Sequence, residues 1–185
     1  MKSDEEIIAC YRVSGQHELL EELADRYLGK VRAMIYPMVL DRAWADDLTQ
    51  EVFLRAFRGL AGFNGRAQFS TWLYRVTMNT VHSFLARRRR SPVAYCAEVP
   101  DCAESSAAPP ESAVMQAELE CAVESSLRGL PPKLRAAIVL TTLEKIEVGE
   151  AARIEGCSRA TMYWRIHEAR KRLKGRLERY FSQWR

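Results

Sequence analysis

Residues 148–174 read VGEAARIEGCSRATMYWRIHEARKRLK, a pattern typical of two helices joined by a tight turn. Gly156 falls at the turn, where glycine adopts a positive φ at low cost. Ser158 suits the N-cap of the second helix, because its hydroxyl can accept from a backbone N–H two or three residues on. A helical hairpin with a basic exterior is one interpretation. The basic second helix favours the other, a helix-turn-helix that enters the major groove of DNA.

The second helix of this stretch separates into two faces. Helical spacing predicts that Met162, Ile166, Ala169 and Leu173 face inward. The outer and flanking faces then carry the candidate DNA contacts, which are Arg159, Thr161, Tyr163, Trp164, Arg165, His167, Glu168, Arg170 and Lys171.

Helical periodicity also covers the sequence before this stretch. Apolar residues recur at helical spacing, and no alternating strand pattern stands out. The pattern predicts helices over 18–36 (ended by Pro37), from near Trp44 to about Leu60, over 69–88, over 112–127 and around Leu134–Leu143. Residues 91–111 hold four prolines and no helical stripe, which is typical of a flexible linker. The predicted fold is all-α, with two small helical domains, 1–90 and 112–185, joined by that linker.

Charge is strongly segregated along the chain, although the net charge is only +4. Residues 52–90 hold eight bases and no acid, and residues 159–185 hold nine bases and two acids. Residues 1–51 and 91–130 have net charges of −5 and −6. A solvated surface usually mixes both signs. The two basic blocks, which also carry aromatic residues able to stack on unpaired bases, predict two separate contacts with nucleic acid.

Several classes of protein are disfavoured by the composition. No run of eighteen apolar residues occurs, and the acidic N-terminus does not resemble a secretory signal, so we expect a cytoplasmic protein. The five cysteines are scattered without a C-x-x-C pair, which favours free thiols over a disulfide framework or a zinc site. The three histidines lie far apart and no glycine-rich phosphate loop occurs. We therefore expect no enzyme activity, cofactor, metal or small-molecule substrate.

Three motifs resemble segments of one known family. Residues 46–57, DDLTQEVFLRAF, resemble the core-polymerase-binding motif of bacterial sigma factors. Residues 63–79, FNGRAQFSTWLYRVTMN, resemble their promoter-melting segment. Leu130-Pro131-Pro132 followed by the helix-turn-helix resembles their reader of the upstream promoter element. Two domains joined by a short linker are similar to the arrangement in the extracytoplasmic function (ECF) class of the sigma-70 family. The resemblance covers nearly the whole chain, and three motifs in this order and spacing are highly specific.

The resemblance implies a role for three sets of residues. The contacts with core RNA polymerase would be Asp47, Gln50, Glu51, Phe53, Leu54 and Phe57, with at least one phenylalanine in the core. The minus-ten element would meet Phe63, Asn64, Arg66, Trp72, Tyr74, Arg75 and Asn79. The minus-thirty-five element would meet the nine outer residues of the second helix named above. Glu155 and Glu168 depart from the commoner family pattern, which usually has an apolar and a basic residue there.

The implied function is initiation of transcription of stress-response genes, with core RNA polymerase and promoter DNA as partners. The resemblance also implies inhibition by an anti-sigma factor, often membrane-anchored. A free-standing helix-turn-helix regulator is the alternative, and a nonspecific RNA-binding protein is another. The regulator does not account for the acid-free, aromatic-rich block at 52–90 or for the motif at 46–57.

Overall fold

The computed structural model describes residues 2–90 and 111–182, of which 111–115 and 179–182 are described by their backbone alone. Within these ranges the chain forms α-helices and two short helical turns, and no strand is present. The helices are α1 (Asp4–Ser14), α2 (Glu18–Val39), α3 (Arg42–Gly59), α4 (Phe69–Arg90), α5 (Glu111–Arg128), α6 (Pro132–Ile138), α7 (Val148–Glu155) and α8 (Arg159–Ser182). The all-α prediction is confirmed. The predicted linker lies outside the described residues except for Glu111, which begins α5.

Helix α1 was not predicted from the sequence. Ser3 begins it with a capping box: its Oγ accepts from the Glu6 N–H at 3.2 Å, and the Glu6 carboxylate accepts from the Ser3 N–H at 2.7 Å. Ile7 and Ile8 are buried, and the Asp4 carboxylate pairs with Arg26 of α2 at 2.8 Å. The Ser-x-x-Glu spacing was the signal in the sequence that would have found this helix.

Helix α2 continues three residues beyond its predicted end at Tyr36. Pro37 lies inside the last turn, and the helix ends at Val39 because Leu40 adopts a left-handed conformation with φ of 55°. The Leu40 N–H donates to the Tyr36 carbonyl at 2.7 Å. Met38 and Val39 are buried, so the apolar face continues past the proline and favours the longer helix. Asp41 then caps α3 by accepting from the Trp44 N–H at 3.0 Å.

The second half of the chain begins with α5 and ends with the helix-turn-helix. Pro132 occupies the first turn of α6, where its missing N–H has no intrahelical partner to lose. The helix predicted around Leu134–Leu143 is interrupted: α6 ends at Ile138 and a π-helical turn follows over Val139–Leu143. Gly156 ends α7 with φ of 62°, and Ser158 caps α8 by accepting from the Thr161 N–H at 3.1 Å. The predicted turn chemistry of the helix-turn-helix is confirmed.

The two halves pack directly against each other. Helix α4 lies on α7, and the end of α2 lies against α5 and α6. A continuous apolar core joins residues of the first half, such as Leu73 and Met78, to Ala151 and Ile154 of α7. A second cluster places Leu40 among residues of the second half. The sequence predicted two bundles, and the structure adds an extensive interface between them.

Candidate functional site

The outer face of α3 carries the first predicted set of residues. Asp47 and Gln50 are exposed, and 56% of Leu54 is accessible. These three residues are spaced by three and four positions, so they share one side of the helix. This side offers two polar groups and one apolar group to a partner.

The remaining members of the α3 set support this face. Phe53 is buried and Phe57 is half-buried, with ring centroids 5.8 Å apart. The expectation that at least one phenylalanine belongs to the core is confirmed by Phe53. Glu51 is half-buried and accepts a hydrogen bond from Arg55. The phenylalanine rings therefore fix the helix while its polar row faces outward.

A groove of about 360 Å³ separates α3 from the C-terminal part of α4. Trp44 and Phe84 form its apolar floor, with ring centroids 5.0 Å apart. Asp47 and Glu51 lie on one rim, and Arg87 lies on the other. The groove therefore combines an apolar pair of rings with charged groups of both signs.

The aromatic members of the α4 set pack inward. Phe63 and Tyr74 are each only 6% exposed, and Trp72 is half-buried. The ring centroids of Phe63 and Trp72 lie 5.4 Å apart, and both rings pack at an angle against the buried ring of Phe69. Burial, together with the nearby charges of Glu144 and Glu150, raises the pKa of Tyr74 to about 12. These rings form a packed aromatic cluster.

The polar members of the same set point outward. Asn64 and Arg66 are exposed on the loop before α4, and Arg75 and Asn79 are exposed on α4 itself. The Asn64 Oδ1 accepts from the Arg66 N–H at 3.2 Å, which stabilises the loop. A polar surface thus surrounds the aromatic cluster.

Helix α8 presents the third predicted set. Met162, Ile166 and Ala169 are buried and Leu173 is partly buried, as the spacing predicted. Tyr163 and Trp164 are 59% and 61% exposed. Also exposed are Arg159, His167, Arg170 and Lys171, whereas Thr161, Arg165 and Glu168 are half-buried. Most of the set therefore forms one accessible surface, with basic groups around two aromatic rings.

Glu168 has a local partner on the same helix. Its carboxylate accepts from Arg172 Nε at 2.6 Å, four residues later. That hydrogen bond and the charges of Arg172 and Lys171 lower the pKa of Glu168 in spite of partial desolvation. An ionised Glu168 can accept a hydrogen bond from a cytosine amino group.

Glu155, the last residue of α7, is the centre of a cluster that the sequence did not predict. Its side chain is fully buried. It accepts from His82 Nε2 at 2.9 Å, from Lys133 Nζ at 3.1 Å and from Arg165 Nη1 at 3.1 Å. Burial raises its pKa, but the hydrogen bond from His82 and the charges of His82 and Lys133 outweigh burial, and the pKa is lowered overall. An acid at a position where an apolar residue was expected was the signal for this cluster.

Neither a membrane span nor a metal cluster occurs in the described part of the chain. No helix within residues 2–90 and 111–182 combines the length and the apolar character needed to cross a membrane. The same ranges contain no group of three or more His, Cys, Asp or Glu residues placed to hold a metal ion. Cys10, Cys121 and Cys157 form no disulfide among the described residues, and Cys96 and Cys102 lie outside them.

Family models match both halves of the chain. The model described as Sigma-70 region 2 matches residues 23–91, and that described as Sigma-70, region 4 matches residues 122–173. The first match contains α3 and α4, and the second contains the helix-turn-helix.

Individual relatives match over most of the sequence. The RNA polymerase sigma-H factor of Pseudomonas aeruginosa is 32% identical over 171 residues, which cover 89% of each chain. The ECF RNA polymerase sigma-E factor of Haemophilus influenzae is 31% identical over 171 residues, which cover 89% of this chain and 90% of that one. A solved structure with the same fold is the sigma factor RpoE of Bartonella quintana in complex with the anti-sigma factor NepR. It has a TM-score of 0.65 and 21% identity, and the match covers 85% of this chain and 96% of that one.

Proposed function

The chain belongs to the ECF group of the sigma-70 family, and we propose that it binds core RNA polymerase, directs it to promoters of stress-response genes and helps to melt them. The observation that carries this proposal is the presence of two different accessible surfaces in one chain. The outer face of α3 suits a protein partner, and the face of α8 around Tyr163 and Trp164 suits duplex DNA. The chemistry of transcription belongs to the polymerase, and this chain supplies specificity.

We propose the following division of labour along the chain. Residues 1–90 bind polymerase and the minus-ten element, residues 91–111 link the halves, and residues 112–185 bind the minus-thirty-five element. Support comes from the order of the two family matches and from the turn chemistry of α7 and α8.

The polymerase contact is assigned to the exposed side of α3 and to the groove beside it. Asp47, Gln50 and Glu51 offer acceptors to basic groups, and Leu54 contributes an apolar contact. Phe53 and Phe57 contribute mainly by packing on the inner side of α3 and holding the helix in place. Interfaces of this kind draw most of their affinity from a few central residues, so we expect the α3 face to be sensitive to single charge reversals.

The minus-ten contact is assigned to the loop at residues 63–66 and to α4. Asn64, Arg66, Arg75 and Asn79 are accessible to the separated strand. Unpaired bases are read by stacking and by hydrogen bonds to their exposed edges. Phe63 and Tyr74 are buried, so their part is to support the loop and helix beneath these polar side chains.

The minus-thirty-five contact is assigned to α8. A helix-turn-helix places the N-terminal part of its second helix at the base edges. Tyr163, Trp164 and His167 are suited to bases, and Arg159, Arg170 and Lys171 are suited to phosphates. Thr161, Arg165 and Glu168 are half-buried at the side of this surface, and they are the remaining proposed contacts.

Regulation by an anti-sigma factor is part of the proposal. The sigma factor of Bartonella quintana with the same fold was solved with such a partner. We propose that a membrane-anchored inhibitor occupies the groove between α3 and α4, so that the chain works in the cytoplasm and is held near the membrane when inactive. Mixing the purified chain with a candidate inhibitor encoded beside it should give a stable complex that abolishes polymerase-dependent transcription. Full transcription in the presence of that inhibitor would contradict this part.

Run-off transcription with bacterial core polymerase on a pool of genomic fragments tests the main proposal. We expect transcripts that depend on this chain, from fragments that share two spaced elements. The double variant Asp47→Arg/Gln50→Ala should lose these transcripts, and the matched control Asp25→Arg, at an exposed acid of α2, should retain them. Specific binding of the chain alone to duplex DNA, without stimulation of polymerase, would favour the free-standing regulator.

A further inference from the structure

A cavity of about 480 Å³, the arginine cavity, lies where the end of α4 meets the α5–α6 turn and α8. Five arginines line it: Arg88 and Arg89 of α4, Arg128 of α5, Arg135 of α6 and Arg172 of α8. No aspartate or glutamate of the described part of the chain is among its lining residues. None of these five arginines belongs to the polymerase or promoter contacts assigned above.

The arginine cavity holds positive charge that lacks a counter-ion. Arg89 and Arg128 are exposed, and neither forms an ion pair within residues 2–90 and 111–182. Arg172 does have a carboxylate beside it, because its Nε donates to Glu168 at 2.6 Å. Like charges held close together repel each other, so the unneutralised charge favours the entry of an anion.

Arg135 is the buried member of this set. Only 7% of it is exposed, and its Nη1 and Nη2 donate to the carbonyls of Met38 at 2.5 Å and Arg128 at 2.8 Å. Its Nε has no acceptor among the described residues. Burial and the nearby charge of Arg128 lower the pKa of Arg135 to about 10. A buried cation that is bonded only to neutral carbonyls lacks the opposite charge that would offset its desolvation.

The backbone of the α5–α6 turn brings a further arginine to the edge of the cavity. A Cβ at Gly129, which lines the cavity, would lie 1.2 Å from Nη1 of Arg176, so the glycine leaves the space that this guanidinium occupies. Leu85, Pro131 and Pro132 add an apolar part to the lining. The cavity therefore suits a ligand that is strongly anionic at one end and tolerates apolar contact at the other.

Phosphate is the anion that this arrangement fits best. Guanidinium groups bind phosphate oxygens through two parallel N–H donors, and several arginines together match several linked phosphates. The volume of the cavity lies in the range of small-molecule sites. A DNA duplex is too wide to enter it, since its major groove alone is about 12 Å across, and would contact only the exposed arginines at the mouth.

We propose that the arginine cavity binds a small ligand with a chain of linked phosphates, either an inorganic polyphosphate or a nucleoside triphosphate. Arg89 and Arg128 hold the phosphates at the mouth, and the buried Arg135 provides positive charge at the base. The apolar lining accommodates a nucleoside where one is present. The ligand thus contacts α4 of the first half and α5, α6 and α8 of the second.

Isothermal titration calorimetry of the full chain at about 0.15 M salt tests the site, because this ionic strength screens diffuse attraction between exposed charges. The probes are inorganic tripolyphosphate, ATP and adenosine. We expect one tripolyphosphate or ATP per chain, with a dissociation constant in the micromolar range, and no binding of adenosine. Tighter binding of ATP would support a nucleotide ligand, and equal or tighter binding of tripolyphosphate would support an inorganic one. Absence of binding by both, or binding of adenosine as tight as that of ATP, would overturn the proposal.

Single neutralisations locate the bound phosphates. Arg89→Gln and Arg128→Gln, one in each half, should each lower the affinity for tripolyphosphate by about tenfold, because each removes a charge-assisted hydrogen bond. Arg58→Gln is the matched control: Arg58 is exposed at the end of α3, where Gly59 adjoins Trp72 near the start of α4, whereas Arg89 lies at the end of α4. The control should change the affinity by less than about twofold. Equal losses in all three variants would show diffuse attraction and would overturn the site.

Thermal unfolding separates an effect on the ligand from an effect on the fold. Without ligand, neither cavity variant should melt below Arg58→Gln, because each removes repulsion within the cavity. Tripolyphosphate at about 100 times its dissociation constant should raise the melting temperature of wild type by several degrees, and that of Arg128→Gln by less at the same concentration. A short duplex of unrelated sequence should not displace tripolyphosphate. Displacement at an equal concentration of phosphate would show that these arginines bind DNA and would overturn the small-ligand site.

Discussion

The aromatic residues of α4 and those of α8 are similar in type and opposite in placement. Around α4, Phe63 and Tyr74 are buried and Trp72 is half-buried in a cluster with Phe69. On α8, Tyr163 and Trp164 are exposed on a helix whose other face is anchored by Met162 and Ile166. Aromatic residues in a basic block therefore do not predict by themselves whether a ring packs or reads DNA.

The difference matches two kinds of DNA recognition. A duplex presents its base edges in a groove of fixed shape, so it is read by side chains already displayed on a rigid helix. A separated strand presents base faces and edges that need pockets, and pockets are supported by packed residues beneath them. We interpret the α4 cluster as the support of a pocket and the α8 rings as a preformed reading surface.

Substitution of a supporting ring should give the largest effect. Phe69 is 2% exposed and packs against Tyr27, Phe63 and Trp72. Phe69→Ala should lower the free energy of unfolding by about 3–5 kcal/mol, because it creates a cavity in the core. Urea denaturation followed by circular dichroism measures this. Trp164→Ala is the matched control and should stay within about 0.5 kcal/mol of wild type. If both variants lowered the free energy of unfolding equally, Phe69 would not differ from Trp164 in its contribution to the fold.

Acidification should weaken the hydrogen bonds to Glu155, one of which, from His82, joins the two halves. The pKa of Glu155 is lowered in the folded chain: burial opposes its charge, but the hydrogen bond and charge of His82, together with Lys133, outweigh burial. A lowered folded-state pKa means that the carboxylate stabilises the fold above its unfolded-state pKa, and that this contribution is lost as the pH falls through the folded-state pKa.

The difference in free energy of unfolding between wild type and Glu155→Gln tests this dependence. We expect it to narrow as the pH falls below about 4.3, the usual pKa of a glutamate, by at most about 1.4 kcal/mol per pH unit for one proton. A difference that stays constant over this range would show that the charge of Glu155 does not stabilise the folded chain.

The sequence predicted those features that depend on neighbouring residues. Gly156, Ser158 and the inward spacing of Met162 and Ile166 are local signals, and each was confirmed. The insertion of Leu40 into the second half and the burial of Glu155 depend on contacts between distant segments. Helical periodicity shows that a residue faces a core, but not which helix covers it. The site residues remain proposals for the same reason, since their roles depend on partners outside the chain.

Substitution of a displayed ring should change DNA binding without changing the fold. Trp164→Ala should lower the affinity of the polymerase holoenzyme for a recovered promoter by about tenfold, or about 1.4 kcal/mol, because exposed tryptophans at interfaces are frequent hot spots. Fluorescence anisotropy with a labelled fragment measures this. Replacement of the minus-thirty-five element by unrelated sequence should abolish the difference between the two proteins. If Trp164→Ala still lowered the affinity for that fragment, Trp164 would act by packing and not by contacting the minus-thirty-five element.

The smallest expected effect concerns the start of the reading helix. Ser158 Oγ accepts from the Thr161 N–H at 3.1 Å, as Ser3 Oγ accepts from the Glu6 N–H at 3.2 Å at the start of α1. Ser158→Ala and Ser3→Ala should each cost about 1 kcal/mol of stability, whereas glycine at either position should cost only a few tenths. Only Ser158→Ala should also weaken promoter binding, because fraying of the first turn of α8 displaces Thr161 and Tyr163. Thermal unfolding and anisotropy on the same four variants separate these effects. Equal promoter binding by Ser158→Ala and Ser3→Ala, with equal loss of stability, would show that promoter DNA itself orders the N-terminus of α8 and that the reading surface is not preformed there.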